Sequence, residues 1–379
     1  MREAARLALF LGIVLATWAL EHAYLYRRAA PFLGPPGSPL RRAGLVALFL
    51  ASLLYPLGRV AARLAPGRAA YAAEFAGAVW MGLLFLAVAF LLAVDLGTLF
   101  GRLAPRTLPA LRLGALAASL LLGAFAMVQG LRPPAVTVRP LPLPGLPPSL
   151  AGKTLLVLSD LHLGTLLGRR WLSRLGEEIA DLDPDILVVA GDLVDGHVPD
   201  VEPLVPLLQA WRAPLGKFAV LGNHEFYGGA ERAAGLLSRA GFRVLRQEAV
   251  EVSPGLFLAG VDDLTARRQF RLAGDPLAEA LRPLPAGRPC ILLSHSPLGA
   301  EEAAARGASA MVSGHTHGGQ IWPFGLAVRL FYPRLAGAYT VGPLSLYVCR
   351  GTGTWGPPMR LFRRGEVVLF KLEPRGATP

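Results

Sequence analysis

An α/β layered domain preceded by a helical membrane region is the fold class this sequence predicts, and three observations predict it. The first 131 of its 379 residues hold four long apolar stretches bracketed by arginine. From Lys153 onward, short continuous apolar runs alternate with helical segments. Between the two regions, residues 132–150 carry seven prolines.

The apolar stretches, 7–26, 43–64, 75–100 and 111–131, each approach the roughly 20 residues a helix needs to span a bilayer. The second is interrupted by Pro56 and Arg59, so it reads as a span with a snorkelling arginine or as an interfacial segment. The first has the charged start of a secretory signal but no small-residue cleavage site, which favours an uncleaved anchor. A multi-pass protein of the cell membrane is therefore expected, in contact with membrane lipids. Arginines divide equally between the two sides, so the orientation of the C-terminal region is left open. Asp95, the one acid well within an apolar run, reads either as functional or as a carboxylate paired with a nearby arginine.

Composition agrees. The chain is 53% hydrophobic and 17% charged, too apolar for an ordinary soluble protein. Its net charge of +12 first suggests a nucleic-acid binder. However, residues 1–150 hold 14 Arg and four acids, whereas residues 151–379 hold 24 Lys+Arg against 22 acids. The excess lies beside the apolar runs, where arginine meets lipid headgroups. The near-neutral C-terminal region lacks the cationic contacts that binding of a phosphate backbone needs, so no nucleic-acid partner is expected. Cys290 and Cys349 sit in apolar runs and read as buried free thiols.

Residues 132–150 read as a stiff linker in which Val136 and Val138 alternate as an edge strand does. Residues 151–379 form the layered domain. TLLVLSD, DILVVAGD, KFAVLGN, GLFLAGVDD, CILLSH and SAMVSGH read as buried strands, with helices at 169–180, 201–211, 230–240 and 276–281.

Nearly every strand ends on a metal-ligand type. Asp160 and His162 follow the first, Asp192 the second, and Asn223 with His224 the third; His295, then His315 with His317, follow later ones. The carboxyl ends of strands in open α/β sheets meet in one crevice, so these distant residues should gather. Asp160, His162, Asp192, Asn223, His295, His315 and His317 make seven oxygen and nitrogen ligands without a thiolate, more than one zinc ion accepts. Seven ligands sharing one carboxylate suit two divalent ions about 3.5–4 Å apart, which clamp an in-line displacement at phosphorus. Manganese, iron, zinc and cobalt all suit such ligands. Gly191, Gly222 and Gly314 precede ligands and are expected to let the backbone turn tightly. Asp160 or Asp192 alone could be a helix cap; five motifs at five strand ends argue otherwise. Asp195 reads as a supporting or capping residue, and Glu225 as either orienting His224 or solvated. His22 is expected at the membrane interface and His197 at the surface.

SDLHLG, GDLVDG, GNHE, SHSP and GHTHGGQ resemble, in order and spacing, the five motifs of the calcineurin-like metallophosphoesterase superfamily over about residues 135–375. The helical start with GHTHGGQIWPFG and RGTGTWGPPMRLF is similar to the branch of transmembrane proteins with a metallophosphoesterase domain, whose bacterial relatives include phosphodiesterases resembling UDP-2,3-diacylglucosamine pyrophosphatase. The resemblance implies a four-layer αββα sandwich. It implies one ion on Asp160, His162 and His317, and another on Asn223, His295 and His315. Asp192 would bridge them with a hydroxide that attacks phosphorus, and His224 would protonate or stabilise the leaving oxygen. The expected activity is hydrolysis of a phosphodiester or pyrophosphate, on a substrate that can be lipid-linked. A silent scaffold on the same fold would have lost ligands, and all seven are present. A nuclease would need the cationic stripe that is missing.

Overall fold

The computed structural model describes residues 2–285 and 287–376, with the side chains of 2–8 and 10 outside the described set. The chain divides into two compact units, Met1–Leu131 with Gly356–Leu361, and Arg132–Trp355 with Phe362–Pro379.

The helical unit holds α1 (Arg2–Ala29), α2 (Pro39–Leu64), α3 (Arg68–Gly97) and α4 (Leu108–Leu131). Among the described residues, α2, α3 and α4 are long and apolar enough to cross a membrane. The remaining expected span, 7–26, falls on α1, whose opening side chains lie outside the described residues. Pro56 sits within a continuous α2. Arg59 donates to the buried Glu74 carboxylate at 2.9 Å. Asp95 is the paired carboxylate of the two readings: Arg28 at 2.6 Å, Arg112 at 2.7 Å and the Tyr24 hydroxyl at 2.7 Å surround it. A buried anion persists only with such compensation. His22 lies inside the helical unit. It is buried, taking a 3.0 Å hydrogen bond from Trp80 Nε1, with Nδ1 2.8 Å from the Trp18 carbonyl. Two aromatic neighbours and a full set of partners make burial of that ring affordable.

The second unit is built from two six-stranded sheets. The first has the order β1 (Ala135–Leu143), β12 (Glu366–Pro374), β2 (Thr154–Leu158), β3 (Ile186–Ala190), β4 (Lys217–Val220), β5 (Arg243–Val244). The second has the order β10 (Gly337–Val341), β11 (Leu344–Val348), β9 (Ala310–Ser313), β8 (Cys290–Ser294), β7 (Leu256–Val261), β6 (Glu248–Ser253). Helices α5 (Arg169–Leu182), α6 (Val205–Gln209), α7 (Asn223–Gly228) and α8 (Ala230–Arg239) belong to the first half, and α9 (Leu264–Phe270), α10 (Pro276–Leu281), α11 (Ala300–Ala305) and α12 (Phe324–Phe331) to the second.

The apolar runs hide a period of two. Leu155, Val157, Ile186, Val188, Ile291, Leu293, Ala310 and Val312 form the core between the sheets. The alternate residues Leu156, Leu158, Leu187 and Val189 pack outward under α5, α6 and α8, whose apolar stripes include Leu172, Leu175, Ile179 and Leu236. Leu292 and Met311 pack outward under α10 and α11. Strands apolar on both faces thus build the four layers, helix, sheet, sheet, helix.

The proline-rich stretch is more than a spacer. Residues 135–143 are the edge strand β1, parallel to β12 with Val138 opposite Leu369. An edge tolerates Pro140 and Pro142, which cannot donate to a ladder. The helix expected at 201–211 shortens to α6 after two 3₁₀ turns, because Pro203 and Pro206 remove amide donors from its start.

Candidate metal centre

The parallel strands of both sheets carry their following loops to one place. Asp160 and His162 come after β2, Asp192 after β3, Asn223 and His224 at the start of α7 after β4, His295 after β8, and His315 and His317 after β9. Backbone hydrogen bonds lock these loops together: Asp160 N donates to Gly191 O at 3.0 Å, His162 N to Asp192 O at 3.0 Å, and Gly314 N to His295 O at 2.8 Å. Asp160, His162, Asp192, His315 and His317 all adopt positive φ. Left-handed backbone is uncommon for such residues and clusters where surrounding structure enforces a functional geometry.

All seven candidate ligands converge. His162 Nε2 lies 3.1 Å from His317 Nε2 and 3.7 Å from Asp192 Oδ2. His317 Nε2 lies 3.4 Å from Asp160 Oδ1. His295 Nε2 lies 3.1 Å from Asp192 Oδ2, and His315 Nδ1 is 3.3 Å from His295 Nε2 and 2.9 Å from Asn223 Oδ1. Two three-residue groups, Asp160 with His162 and His317, and Asp192 with His295 and His315, bring their ligand atoms within 4.8 Å of one another. His224 falls in a third such group with His162 and Asp192, so geometry alone offers it as a ligand as well.

The far nitrogens of these rings explain which nitrogen faces the centre. His295 Nδ1 is 2.8 Å from the Ala190 carbonyl, so it carries the proton and leaves Nε2 with a lone pair. His315 is turned the other way: its Nε2 is 2.8 Å from the Tyr332 hydroxyl, which leaves Nδ1 inward. Asp195 stands 3.5 Å from His162 Nδ1 and 3.4 Å from His224 Nδ1, so one carboxylate braces two rings.

Charge points the same way. Burial works against the Asp192 carboxylate, yet His295, His224 and His162 outweigh it and hold its pKa well below the usual range. Burial likewise opposes protonation of His295, and Asp192 and Asp160 overcome it and push the pKa well up. The pocket draws positive charge.

Residues 153–319 match the family model described as calcineurin-like phosphoesterase. An uncharacterized metallophosphoesterase of Aquifex aeolicus is 39% identical over 221 residues, which is 58% of this chain and 84% of that protein. The chain belongs to the calcineurin-like metallophosphoesterase family. The transmembrane protein with metallophosphoesterase domain of Bos taurus is 35% identical over 266 residues, and that of Danio rerio 34% over 270. These matches span 66% and 68% of this chain and 60% and 62% of the vertebrate proteins.

Divalent ions fit the metallophosphoesterase residues. Asp160 Oδ2 is buried with no hydrogen-bond partner, an acceptor left open for a cation. Nitrogens that each sit about 2.0–2.1 Å from one ion stand roughly 3 Å apart, the spacing of His162 and His317. The glycines fit the same purpose for a different reason from the one expected. Only Gly191, at φ +84°, needs a left-handed turn; a Cβ there would also stand 2.6 Å from His295 Nδ1. At Gly222 and Gly314 the constraint is space, because a Cβ would fall on Asp192 Oδ1 and Asp160 Oδ2 respectively.

Several supports were not legible as such. Glu225 is neither solvated nor bonded to the His224 ring. Buried, it accepts the amides of Asp192 at 3.0 Å, Val194 at 2.9 Å and Gly222 at 2.7 Å, which ties β3 to β4. Burial first, and then the Asp192 charge, push its pKa up to about 7. Tyr332 carried no signal, since its motif context is 17 residues from His315. RGTGTW gains a role: Thr352 N donates to Ser159 O at 2.7 Å, Gly353 N to Asp160 O at 3.0 Å, and Trp355 N to Gln320 Oε1 at 3.0 Å. The motif braces the Asp160 loop from behind.

Proposed function

We propose that this chain is a membrane-anchored hydrolase of a phosphodiester or pyrophosphate bond that uses two divalent ions. Asp160, His162 and His317 would hold one ion, Asn223, His295 and His315 the other, and Asp192 would serve both. The ions, manganese, iron, zinc or cobalt, would supply Lewis acidity at phosphorus and an acidified attacking water. One observation carries this reading: the inward nitrogens of His162, His317, His295 and His315 converge on the oxygens of Asp160, Asp192 and Asn223.

The chain's own groups do the remainder. His224, with Nδ1 beside Asp195 and its amide on Asp192 Oδ1 at 2.9 Å, presents Nε2 as the group that protonates the leaving oxygen. Burial resists its protonation, but Asp192 and Asp195 raise the pKa, which suits an acid. A lipid-linked substrate of the kind typified by UDP-2,3-diacylglucosamine is supported by the membrane-length helices of the same chain.

The test is hydrolysis of bis(p-nitrophenyl) phosphate by the full-length protein in detergent with Mn²⁺. Asp192→Asn should reduce turnover to background while the circular dichroism spectrum and metal-independent solubility stay as they are. Undiminished turnover by this variant would remove Asp192 and the paired-ion site from the account.

A further inference from the structure

The region around the centre has an unusual surface. In α12 none of the residues is buried; Leu330 is 79% exposed, Phe331 75% and Leu326 62%. A soluble domain rarely leaves three neighbouring large apolar side chains this open without a use for them. α12 is also no stray helix. It follows the His317 loop directly, with Gly319 backed against Gly325, and the chain leaves it through Tyr332, whose hydroxyl bonds His315. More aromatics continue the patch: the Trp322 ring lies 6.4 Å from Phe362, and Trp355 lies 5.8 Å from His224. Trp355 and Phe362 are each more than half exposed.

Charge narrows the choice of occupant. Residues 303–365 contain no Asp or Glu but seven arginines. Among them Arg329, within α12, and Arg363, beside Phe362, are exposed. Tryptophan and phenylalanine with arginine between them, and no acid, is the composition that settles at the boundary between anionic headgroups and acyl chains. The bilayer is also already tied to this chain, through helices long and apolar enough to cross it.

We propose that α12, together with Trp355 and Phe362, is a membrane-docking surface of the metallophosphoesterase unit, which seats in the interfacial layer of a bilayer containing anionic lipid. Leu326, Leu330 and Phe331 enter the acyl boundary, and Arg329 and Arg363 take lipid phosphates. Because Trp355 borders His224, docking opens the centre toward a phosphoester carried in the membrane; this last link alone rests on the function proposed above.

The test uses full-length protein in nanodiscs of phosphatidylcholine and phosphatidylglycerol. A fluorescent nitrobenzoxadiazole label is placed on Leu330→Cys and, as a reference, on Ser238→Cys in α8; Cys290 and Cys349 are buried and do not compete. Nitroxides on lipid acyl chains should quench the Leu330→Cys label at least about twofold more than the reference, with iodide in the water doing the reverse. Equal iodide quenching at both positions would overturn the proposal. So would shielding of Leu330→Cys from both quenchers, which would mean that protein covers α12. The same label in an Asp192→Asn background separates the two ideas: acyl-chain quenching should persist there whether or not turnover is lost.

Discussion

Asp192 divides its two oxygens between structure and chemistry. Oδ1 accepts the His224 amide, and Oδ2 faces His295 Nε2 at 3.1 Å. The division works because Glu225 fixes the Asp192 amide from below, so the loop cannot rotate. Tyr332 plays the corresponding part for His315. Its hydroxyl is bonded to Nε2 and to Thr265 Oγ1 at 3.1 Å, which fixes the ring with Nδ1 inward. Tyr332→Phe should therefore weaken metal binding about 10–100-fold, the usual effect of removing the partner of a ligating histidine, with little change in fold. Titration of the chelated, purified protein with Mn²⁺ or Zn²⁺ reads this directly; an unchanged affinity would show that His315 needs no brace. The eight chemically marked residues were legible because Asn and His are rare in this chain and because all eight follow strand ends. Glu225 and Tyr332 were not, for a physical reason: their value lies in what they touch across 31–33 and 17 residues of sequence, and nothing local marks it.

At the scale of elements, the two units follow different rules. In the sheets, continuous apolar runs were readable as strands, and the layer each side chain enters followed from alternation alone once the strands were paired. α12 was not readable as a helix, because a run of only eight mostly apolar residues fits a strand as well as a helix. Nor was the β10–β11 hairpin, whose partner β9 lies beyond the intervening helix. In the helical unit, packing depends on small residues. A Cβ on Gly58 would stand 2.5 Å from the Glu74 amide, and one on Gly77 would strike the Tyr55 backbone, so α2 and α3 meet main chain to main chain. Gly77→Leu should push these helices apart, at a cost of about 1–3 kcal/mol or more for overpacking. It should also stretch the Arg59–Glu74 pair, which closes the same interface at 2.9 Å. Thermal denaturation of the full-length protein in detergent would show a lowered midpoint, and a midpoint equal to wild type would mean that the α2–α3 approach is not tight.

The whole chain joins a helical unit with buried ion pairs to a layered unit with a concentrated, buried charge site. The sign of that site's electrostatics decides how it responds to metal. Asp160 and Asp192 are buried side chains, and their charge raises the pKa of His295, as Asp192 and Asp195 raise that of His224. Divalent ions would answer the same carboxylates more fully, so they should bind the folded layered unit far better than the unfolded chain, which cannot gather seven ligands spread over 158 positions. Binding that selects the folded state stabilises it by RT ln(1 + [L]/Kd), about 2.7 kcal/mol when the free ion is 100-fold above Kd. The helical unit is different: its buried carboxylates are already matched, with Arg28 and Arg112 on Asp95 and Arg59 on Glu74. It therefore offers a divalent ion nothing to gain. Calorimetry of the full-length protein in detergent, before and after chelation, should accordingly show one unfolding transition that falls with metal removal and recovers on adding Mn²⁺, and another that does not move. If every transition shifted together, the two units would unfold as one cooperative body; if none shifted, the gathered histidines and aspartates would not be holding metal in the folded state.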